Sequence, residues 1–230
     1  MLSSILRSEY SACGAVLKKT PTLLFSVLVL SIVSMNLFAN KELIRTSFVA
    51  LDCGFCFSWI PFLIMDAICR AYGVKDAIRL SVMALGLNLL LFVLFKGVSL
   101  LPGMWGEYYQ TLNPIVNGAL NSTLGGSVWI IFCSALAMAI SSCVNSVVNC
   151  FIAIFLKKDT FSSFALRSFP STLVAQFVDN MVFALLVSVH LFSWNMRQVL
   201  LCSLCAALFE LFLEIVFSSL GYKLSKKLGD

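Results

Sequence analysis

The sequence predicts an all-α membrane protein with six transmembrane helices and both ends in the cytoplasm. Of its 230 residues, 60% are apolar and only 12% are charged, whereas a soluble domain is about 45–50% apolar and about 25% charged. The mean hydropathy is +0.97. A soluble fold of this length could not bury so much apolar surface, so lipid must be the solvent for much of the chain.

Six apolar stretches are each long enough to cross a bilayer, which takes about 20 apolar residues in a helix. They leave only short connections, so we expect a single transmembrane domain over residues 1–230. The predicted spans are 21–39, 47–69, 78–101, 127–156, 169–192 and 198–221. Before them, residues 1–20 carry apolar side chains on roughly one helical face. This segment is either a short helix at the membrane surface or an extension of the first span.

Helix-breaking residues and span length set the boundaries of the later spans. Pro102 and Gly103 end the third span and begin a predicted loop over 102–126. The fourth stretch is longer than one crossing needs, so we expect it to tilt or to project beyond the bilayer. Pro170 falls near the start of the fifth span, where proline is tolerated.

The basic residues predict the orientation, because cytoplasmic loops carry an excess of Lys and Arg. With the N-terminus inside, twelve of the 16 basic residues lie on the cytoplasmic side: Arg7, Lys18, Lys19, Arg70, Lys75, Arg79, Lys157, Lys158, Arg167, Lys223, Lys226 and Lys227. The other four are Lys41, Arg45, Lys96 and Arg197. Basic residues scattered in this way favour a lipid bilayer as partner and argue against nucleic acid.

Catalytic and metal-binding signatures are missing from the sequence. It contains no phosphate loop, HExxH or GxSxG motif, and the single His190 excludes a multi-histidine site. Two CxxC pairs occur, at 53–56 and 202–205, but their apolar flanks favour packing over a zinc or redox site. We therefore predict neither an enzyme nor a bound cofactor.

Ionisable residues inside the spans are the candidate functional groups, because a charge in a bilayer core is costly and is usually retained for function. Five carboxylates fall in or near spans: Asp52, Asp66, Asp179, Glu210 and Glu214. Asp52 and Asp66 lie about four turns apart in the second predicted span, which would place them on one helical face. Asp179 lies about ten residues into the fifth span, at a depth of about 15 Å.

Amide side chains accompany these carboxylates. Gln176 and Asn180 share one side of the fifth span with Asp179. Asn145 and Asn149 lie one turn apart in the fourth span, where they either hold helices together or contact a substrate. Such a set suits a flat, polar small molecule, since a carboxylate accepts two N–H bonds from a guanine-like edge and an amide both donates and accepts.

Glu210 and Glu214 lie one turn apart in the sixth span. Like charges at that spacing repel each other. At least one of the two glutamates therefore needs a partner or a bound proton.

Two segments resemble the queuosine-precursor transporter family, also called the vitamin uptake type. Residues 60–77, IPFLIMDAICRAYGVKDA, resemble its FPLxYxxxDxxxExYGxKxA signature. Residues 167–183, RSFPSTLVAQFVDNMVF, resemble its RxxxSTxxxQxxDxxxF stretch. The resemblance implies a six-helix protein of the cell's inner membrane that takes up the 7-deazaguanines preQ0, preQ1 or queuine. It implies functional roles for Asp66, Arg167, Gln176 and Asp179.

The chain also departs from the family pattern. Arg70 stands where the family has an acidic residue, and Ile60 replaces a phenylalanine. Glu210 and Glu214 suggest a cationic ligand such as preQ1, whose aminomethyl group is protonated.

The resemblance leaves a second function open. Because the family is related in fold to the substrate-binding subunits of energy-coupling-factor transporters, the alternative is such a subunit for another vitamin. Such a subunit would have the energy-coupling module as its partner. A transporter that acts without this module could form a homo-oligomer. The first span lacks the patches of small residues that such docking would need, which favours a transporter acting alone.

Overall fold

The computed structural model describes residues 2–39, 41–46, 50–101, 114–125, 128–156 and 160–229. Within these ranges the chain is almost entirely helical. The helices are α1 (Leu2–Lys19), α2 (Thr22–Phe38), α3 (Phe55–Tyr72), α4 (Val74–Ser99), α5 (Pro114–Gly125), α6 (Val128–Ala153), α7 (Phe161–Phe183), α8 (Val189–Phe192) and α9 (Met196–Gly229). A π-helical turn, Ala184–Ser188, joins α7 to α8. Two short strands, β1 (Glu42–Arg45) and β2 (Ala50–Asp52), separate α2 from α3.

Five helical segments are long and apolar enough to cross a membrane: Phe55–Tyr72, Val74–Ser99, Ile130–Ala153, Phe161–Ser188 and Met196–Gly229. A sixth is reached if α1 and α2 are counted together as one broken span. These two helices meet at 109°, so α1 is not a straight extension of α2. The predicted number of six is therefore the upper value, and the cytoplasmic placement of both ends stays a prediction.

The second predicted span, 47–69, is wrong in its first part. Described residues 50–52 pair with β1 in an antiparallel hairpin, and helix α3 begins only at Phe55. A polar turn explains the late start, because the Gly54 N–H donates to the Asp52 carboxylate at 2.7 Å. Asp52 and Asp66 therefore share no helical face.

Gly54 also fixes how the hairpin meets α2. A Cβ atom at this position would lie 2.5 Å from the Met35 carbonyl oxygen. Only glycine allows this approach without a backbone shift.

Other boundaries differ from the prediction as well. Helix α7 begins at Phe161 and not near 169, because the Thr160 side chain caps it by accepting the Ser163 N–H at 3.3 Å. Part of the predicted 102–126 loop forms α5, and α9 continues past 221 to Gly229. Residues 47–49, 102–113 and the basic pair Lys157 and Lys158 lie outside the described residues.

Helices α3, α6, α7 and α9 form the centre of the molecule. Helix α7 packs against both α6 and α9, and α9 packs against α3. Gly221 brings α9 close to α3, since a Cβ there would lie 2.5 Å from the Leu63 side chain. The α4 side chains Val82, Leu90 and Val93 are more than half exposed, as expected for a surface that faces lipid. Apolar side chains thus form the outer surface here, and the polar side chains of the central helices lie inside the molecule.

Candidate functional site

Polar side chains line the contact between α3, α6, α7 and α9, and together they form what we call the polar track. Its fully enclosed members have zero solvent exposure: Asp66, Ser141, Asn145, Ser146, Ser168, Ser171, Thr172, Gln176 and Glu214. Along α7 the track runs from Arg167 to Asn180, about 20 Å at 1.5 Å per residue. That length is about two thirds of a bilayer core.

Asp66 is the best-connected carboxylate of the track. Asn145 Nδ2 on α6 donates to Asp66 Oδ1 at 2.6 Å. On α7, the Ser168 hydroxyl contacts Asp66 Oδ2, and Thr172 Oγ1 lies 3.5 Å from the same oxygen. Ser168 Oγ also lies 2.5 Å from Glu214 Oε1 on α9. One serine thus links acidic groups from two different helices.

Arg167 provides the positive charge closest to this acidic pair. Its Nε and Nη2 atoms donate to Asn149 Oδ1 at 3.1 and 2.7 Å. Asn149 Nδ2 in turn lies 3.4 Å from Ser171 Oγ. The arginine charge also acts on Asp66. This arrangement holds the guanidinium at one end of the track.

A second acidic group lies further along the track. Ser141 Oγ donates to Asp179 Oδ1 at 2.8 Å. Asn180 Nδ2 donates to Glu210 Oε2 at 3.2 Å, and Ser58 Oγ donates to Glu210 Oε1 at 2.5 Å. Both oxygens of Glu210 therefore have donors from neighbouring helices. The charges of Asp179 and Glu210 act on each other, so this end favours a cationic or N–H-rich group.

Several buried polar atoms of the track have no hydrogen-bond partner within the described part of the chain. Gln176 is the clearest case, because both its Oε1 and Nε2 are unpaired and the side chain has zero exposure. Asn145 Oδ1, Glu214 Oε2 and the hydroxyl oxygens of Ser142 and Ser146 are in the same state. An unpaired buried polar group costs about 1–3 kcal/mol. These atoms are available to the polar edge of a small ligand.

Two surface hollows lie away from this track. Both are between α4 and α6 and have apolar walls, with Leu89 and Phe132 in each. Neither includes a residue of the polar track. The central side chains of the track have zero exposure, so a substrate would reach them by helix movement. The π-helical turn Ala184–Ser188 follows Asn180 by one helical turn, and such turns are frequent at functional sites.

Of the residues singled out from sequence, Asp52 lies in the hairpin, and the others lie along the track: Asp66, Asn145, Asn149, Arg167, Gln176, Asp179, Asn180, Glu210 and Glu214. The structure brings Asp66 to Asn145, Arg167 to Asn149, and Asn180 to Glu210. The expected need of the glutamates for partners is met by hydroxyl and amide groups. The predicted grouping of Gln176 with Asp179 and Asn180 holds only along α7, because the Gln176 amide bonds to neither side chain.

The linking serines are the functional candidates that sequence reasoning missed. Ser58 and Ser168 connect carboxylates across helices, yet serine is common in membrane helices and marks no site by itself. The sequence did contain one indication for Ser168. It lies one helical turn from Thr172, within the 167–183 segment that resembles the transporter family. As for metals, the described residues hold no group of three or more His, Cys, Asp or Glu side chains that could bind an ion.

A family model described as putative vitamin uptake transporter matches residues 52–228. The match covers more than half of the chain and includes every residue of the polar track. No curated protein and no solved structure matches the chain. The match and the apolar helices together indicate a multi-pass membrane transporter. The chain therefore belongs to the putative vitamin uptake transporter family.

Proposed function

We propose that this protein is an uptake transporter of the cytoplasmic membrane for queuosine precursors, the 7-deazaguanines preQ0, preQ1 or queuine. Family membership supports the uptake of a small molecule. The substrate class is supported most directly by the unpaired Gln176 amide, one turn from Asp179 in the closed interior. The resemblance of segments 60–77 and 167–183 to queuosine-precursor transporters points to the same class.

The chemistry of a 7-deazaguanine complements these groups. Its pyrimidine edge presents a ring N–H and an amino N–H side by side, which one carboxylate can accept together. Its carbonyl oxygen needs a donor, and the Gln176 Nε2 can supply one. Ser141 holds the Asp179 carboxylate from α6 at 2.8 Å, so the acceptor is positioned before the substrate binds.

Glu210 provides a means of distinguishing the precursors. It belongs to the second acidic group of the track, where Asn180 links it to α7, the helix that carries Asp179. The protonated aminomethyl group of preQ1 would be attracted by this carboxylate, whereas the nitrile of preQ0 would not. Glu210→Gln should therefore lose preQ1 uptake more than preQ0 uptake, and normal preQ1 uptake by this variant would contradict the assignment.

The description of the family as vitamin uptake keeps a second candidate, the substrate-binding subunit of an energy-coupling-factor transporter. Such a subunit needs small residues one turn apart on a helix that docks its partner. Helix α2 is instead rich in large aliphatic side chains over Thr22–Phe38. Co-purification with an ATPase module would favour this second candidate.

The test is the queuosine content of tRNA in a precursor-auxotrophic host that lacks its own transporter. The host expresses this chain and is fed preQ0, preQ1 or queuine separately at low concentration. We expect restored queuosine with at least one precursor, and loss of the rescue in Asp179→Asn. Asp76→Asn is the matched control, because Asp76 belongs to an ion pair at the α1–α4 contact, outside the track. No rescue by any precursor, despite membrane expression, would contradict the proposal.

A further inference from the structure

The hydrogen-bond pattern around Ser168 requires a hydrogen that serine cannot supply. Ser168 Oγ contacts Asp66 Oδ2 on one side and lies 2.5 Å from Glu214 Oε1 on the other. A hydroxyl has a single hydrogen to donate. If that hydrogen goes to Asp66, the contact with Glu214 is a hydrogen bond only when the Glu214 carboxyl is protonated and donates to Ser168. The reverse assignment equally requires a proton on Asp66.

Other contacts favour Glu214 as the group that holds the proton. Asp66 has donors at both oxygens, from Asn145 and from Ser168, and the charge of Arg167 acts on it. Glu214 has less support: Ser168 and Thr172 contact it, but its Oε2 has no hydrogen-bond partner among the described residues and its exposure is zero. An ionised carboxylate in that state would be costly, whereas a neutral acid is tolerated. With Arg167 cationic and Asp66 anionic, one proton on Glu214 leaves the group neutral.

Glu210 lies one turn earlier on α9 and is also buried, but each of its oxygens has a contact. Asn180 Nδ2 donates to Oε2, and the Ser58 hydroxyl lies between Oε1 and the Phe55 carbonyl oxygen. Glu210 therefore has no oxygen without a partner, in contrast to Glu214. Besides Asp66 and Glu214, the titratable and charged groups near this site are Cys69 on α3, Cys150 on α6 and Arg167 on α7, with Glu210 one turn from Glu214 on α9.

We propose that Glu214, linked to Asp66 through Ser168, is a proton-binding site in the membrane interior that couples uptake to the proton gradient. The coupling rests on the proposed transport function, whereas the proton site does not. Glu214 lies near the middle of α9, which spans Met196–Gly229. The Glu214 carboxylate takes a proton from the outer aqueous phase to become the acid. It returns that proton to the cytoplasm when the track opens inward, one proton for each substrate.

The proton site is tested without any substrate by infrared spectroscopy of the purified full chain in lipid nanodiscs. At neutral pH we expect a carbonyl band of a protonated carboxyl group that disappears in Glu214→Gln. The band should shift in Ser168→Ala, which removes the acceptor of the acid proton. Glu9→Gln is the control, because Glu9 is an exposed carboxylate paired with Arg79, and it should leave the band unchanged. A Glu214→Gln spectrum that keeps every protonated-carboxyl band would overturn the proton site.

Coupling is tested in proteoliposomes with tritiated preQ0. An inward gradient of one pH unit should raise accumulation by up to about tenfold, because each coupled proton contributes about 1.4 kcal/mol. Glu214→Gln should lose this stimulation, so that its preQ0 accumulation no longer responds to the gradient. If the wild-type chain binds and equilibrates preQ0 without any response to the gradient, the coupling is wrong and the proposed function stands. If preQ0 neither binds nor enters, the proposed function and the coupling both fail, while the infrared band still decides the proton site.

Discussion

The molecule contains two groups of charged residues that differ in how completely they satisfy one another. At the contact between α1 and α4, Lys19 pairs with Asp76, and Arg79 binds both Glu9 and Asp76 at 2.9–3.0 Å. Two acids thus meet two bases near the surface. The polar track instead contains four carboxylates and one guanidinium, which lies at one end, and hydroxyl and amide groups supply most of the hydrogen bonds.

The difference shows which group needs a ligand. The α1–α4 pairs leave no charge without an opposite one, so their role is to hold α1 on α4. The Tyr72 hydroxyl reinforces this attachment by donating to the Lys19 carbonyl at 2.9 Å. The track instead keeps buried polar atoms that have no partner among the described residues, Gln176 above all. Such an imbalance in a membrane interior indicates function, because stability alone would favour apolar side chains there.

The largest effect should come from Asp66→Asn. The substitution keeps the size of the side chain but removes a charge held by Asn145, Ser168 and the nearby Arg167. Because a hydrogen bond to a charged group contributes about 1.5–3 kcal/mol, precursor uptake should fall by about 10- to 100-fold. The measurement is initial uptake of tritiated preQ0 at matched membrane expression. Uptake equal to that of Asp76→Asn would remove the functional distinction between the two groups.

Gln176→Leu should separate binding from stability. Its unpaired amide makes no hydrogen bond in the described structure, so an apolar side chain of similar volume should leave thermal unfolding unchanged or move it upward. Affinity for preQ0 should fall by about tenfold, since one neutral hydrogen bond contributes about 0.5–1.5 kcal/mol. Unfolding in detergent and equilibrium binding give the two quantities. A destabilised variant with normal binding would assign Gln176 a structural role instead.

Asp52 in the hairpin is an intermediate case, because its carboxylate is enclosed and forms no ion pair with another described residue. Burial raises the pKa of Asp52 from 3.8 to about 6, against hydrogen bonds from the Gly54 and Phe55 N–H groups. The folded state therefore binds this proton more tightly than the unfolded state, and stability falls as pH rises from about 4 through about 6. Asp52→Asn should stabilise the protein at pH 8 by about 1–3 kcal/mol and have little effect at pH 4. Equal unfolding temperatures at pH 8 would contradict this.

The smallest effect is expected at the α1–α4 contact itself. The hydrogen bond from Arg79 holds the pKa of Glu9 below its ordinary value of 4.5. This contribution to stability is present above the ordinary pKa of Glu9 and is lost as pH falls through the lowered value. Glu9→Gln should lower the unfolding temperature slightly at neutral pH and not at pH 3, with uptake unchanged.

Sequence patterns predicted most of the track because its members are rare residue types in apolar surroundings. Asp179 and Glu214 stand out in this way, and the spacing along α7 places Gln176 and Asn180 near Asp179. The hairpin was missed because residues 47–54 are apolar enough to continue a span. The Asp52 turn that delays α3 depends on a local hydrogen bond to Gly54.

The roles of Ser58 and Ser168 could not be predicted for a different reason. Their importance comes from carboxylates on other helices, and Ser168 and Glu214 are 46 residues apart in sequence. Contacts of this kind depend on how α7 and α9 pack. The same is true of the unpaired state of Gln176, which appears only when the surrounding helices are in place.

Equilibrium binding of preQ0, preQ1 and queuine to the purified chain in lipid nanodiscs tests the central claim most directly. Three proteins are compared: the wild type, Asp179→Asn in the track, and Asp76→Asn at the α1–α4 contact. We predict saturable binding of at least one precursor to the wild type and to Asp76→Asn, with affinity reduced by about tenfold or more in Asp179→Asn. Binding that is unaffected by Asp179→Asn, or absent from a folded wild type, would contradict the assignment of the polar track as the substrate site.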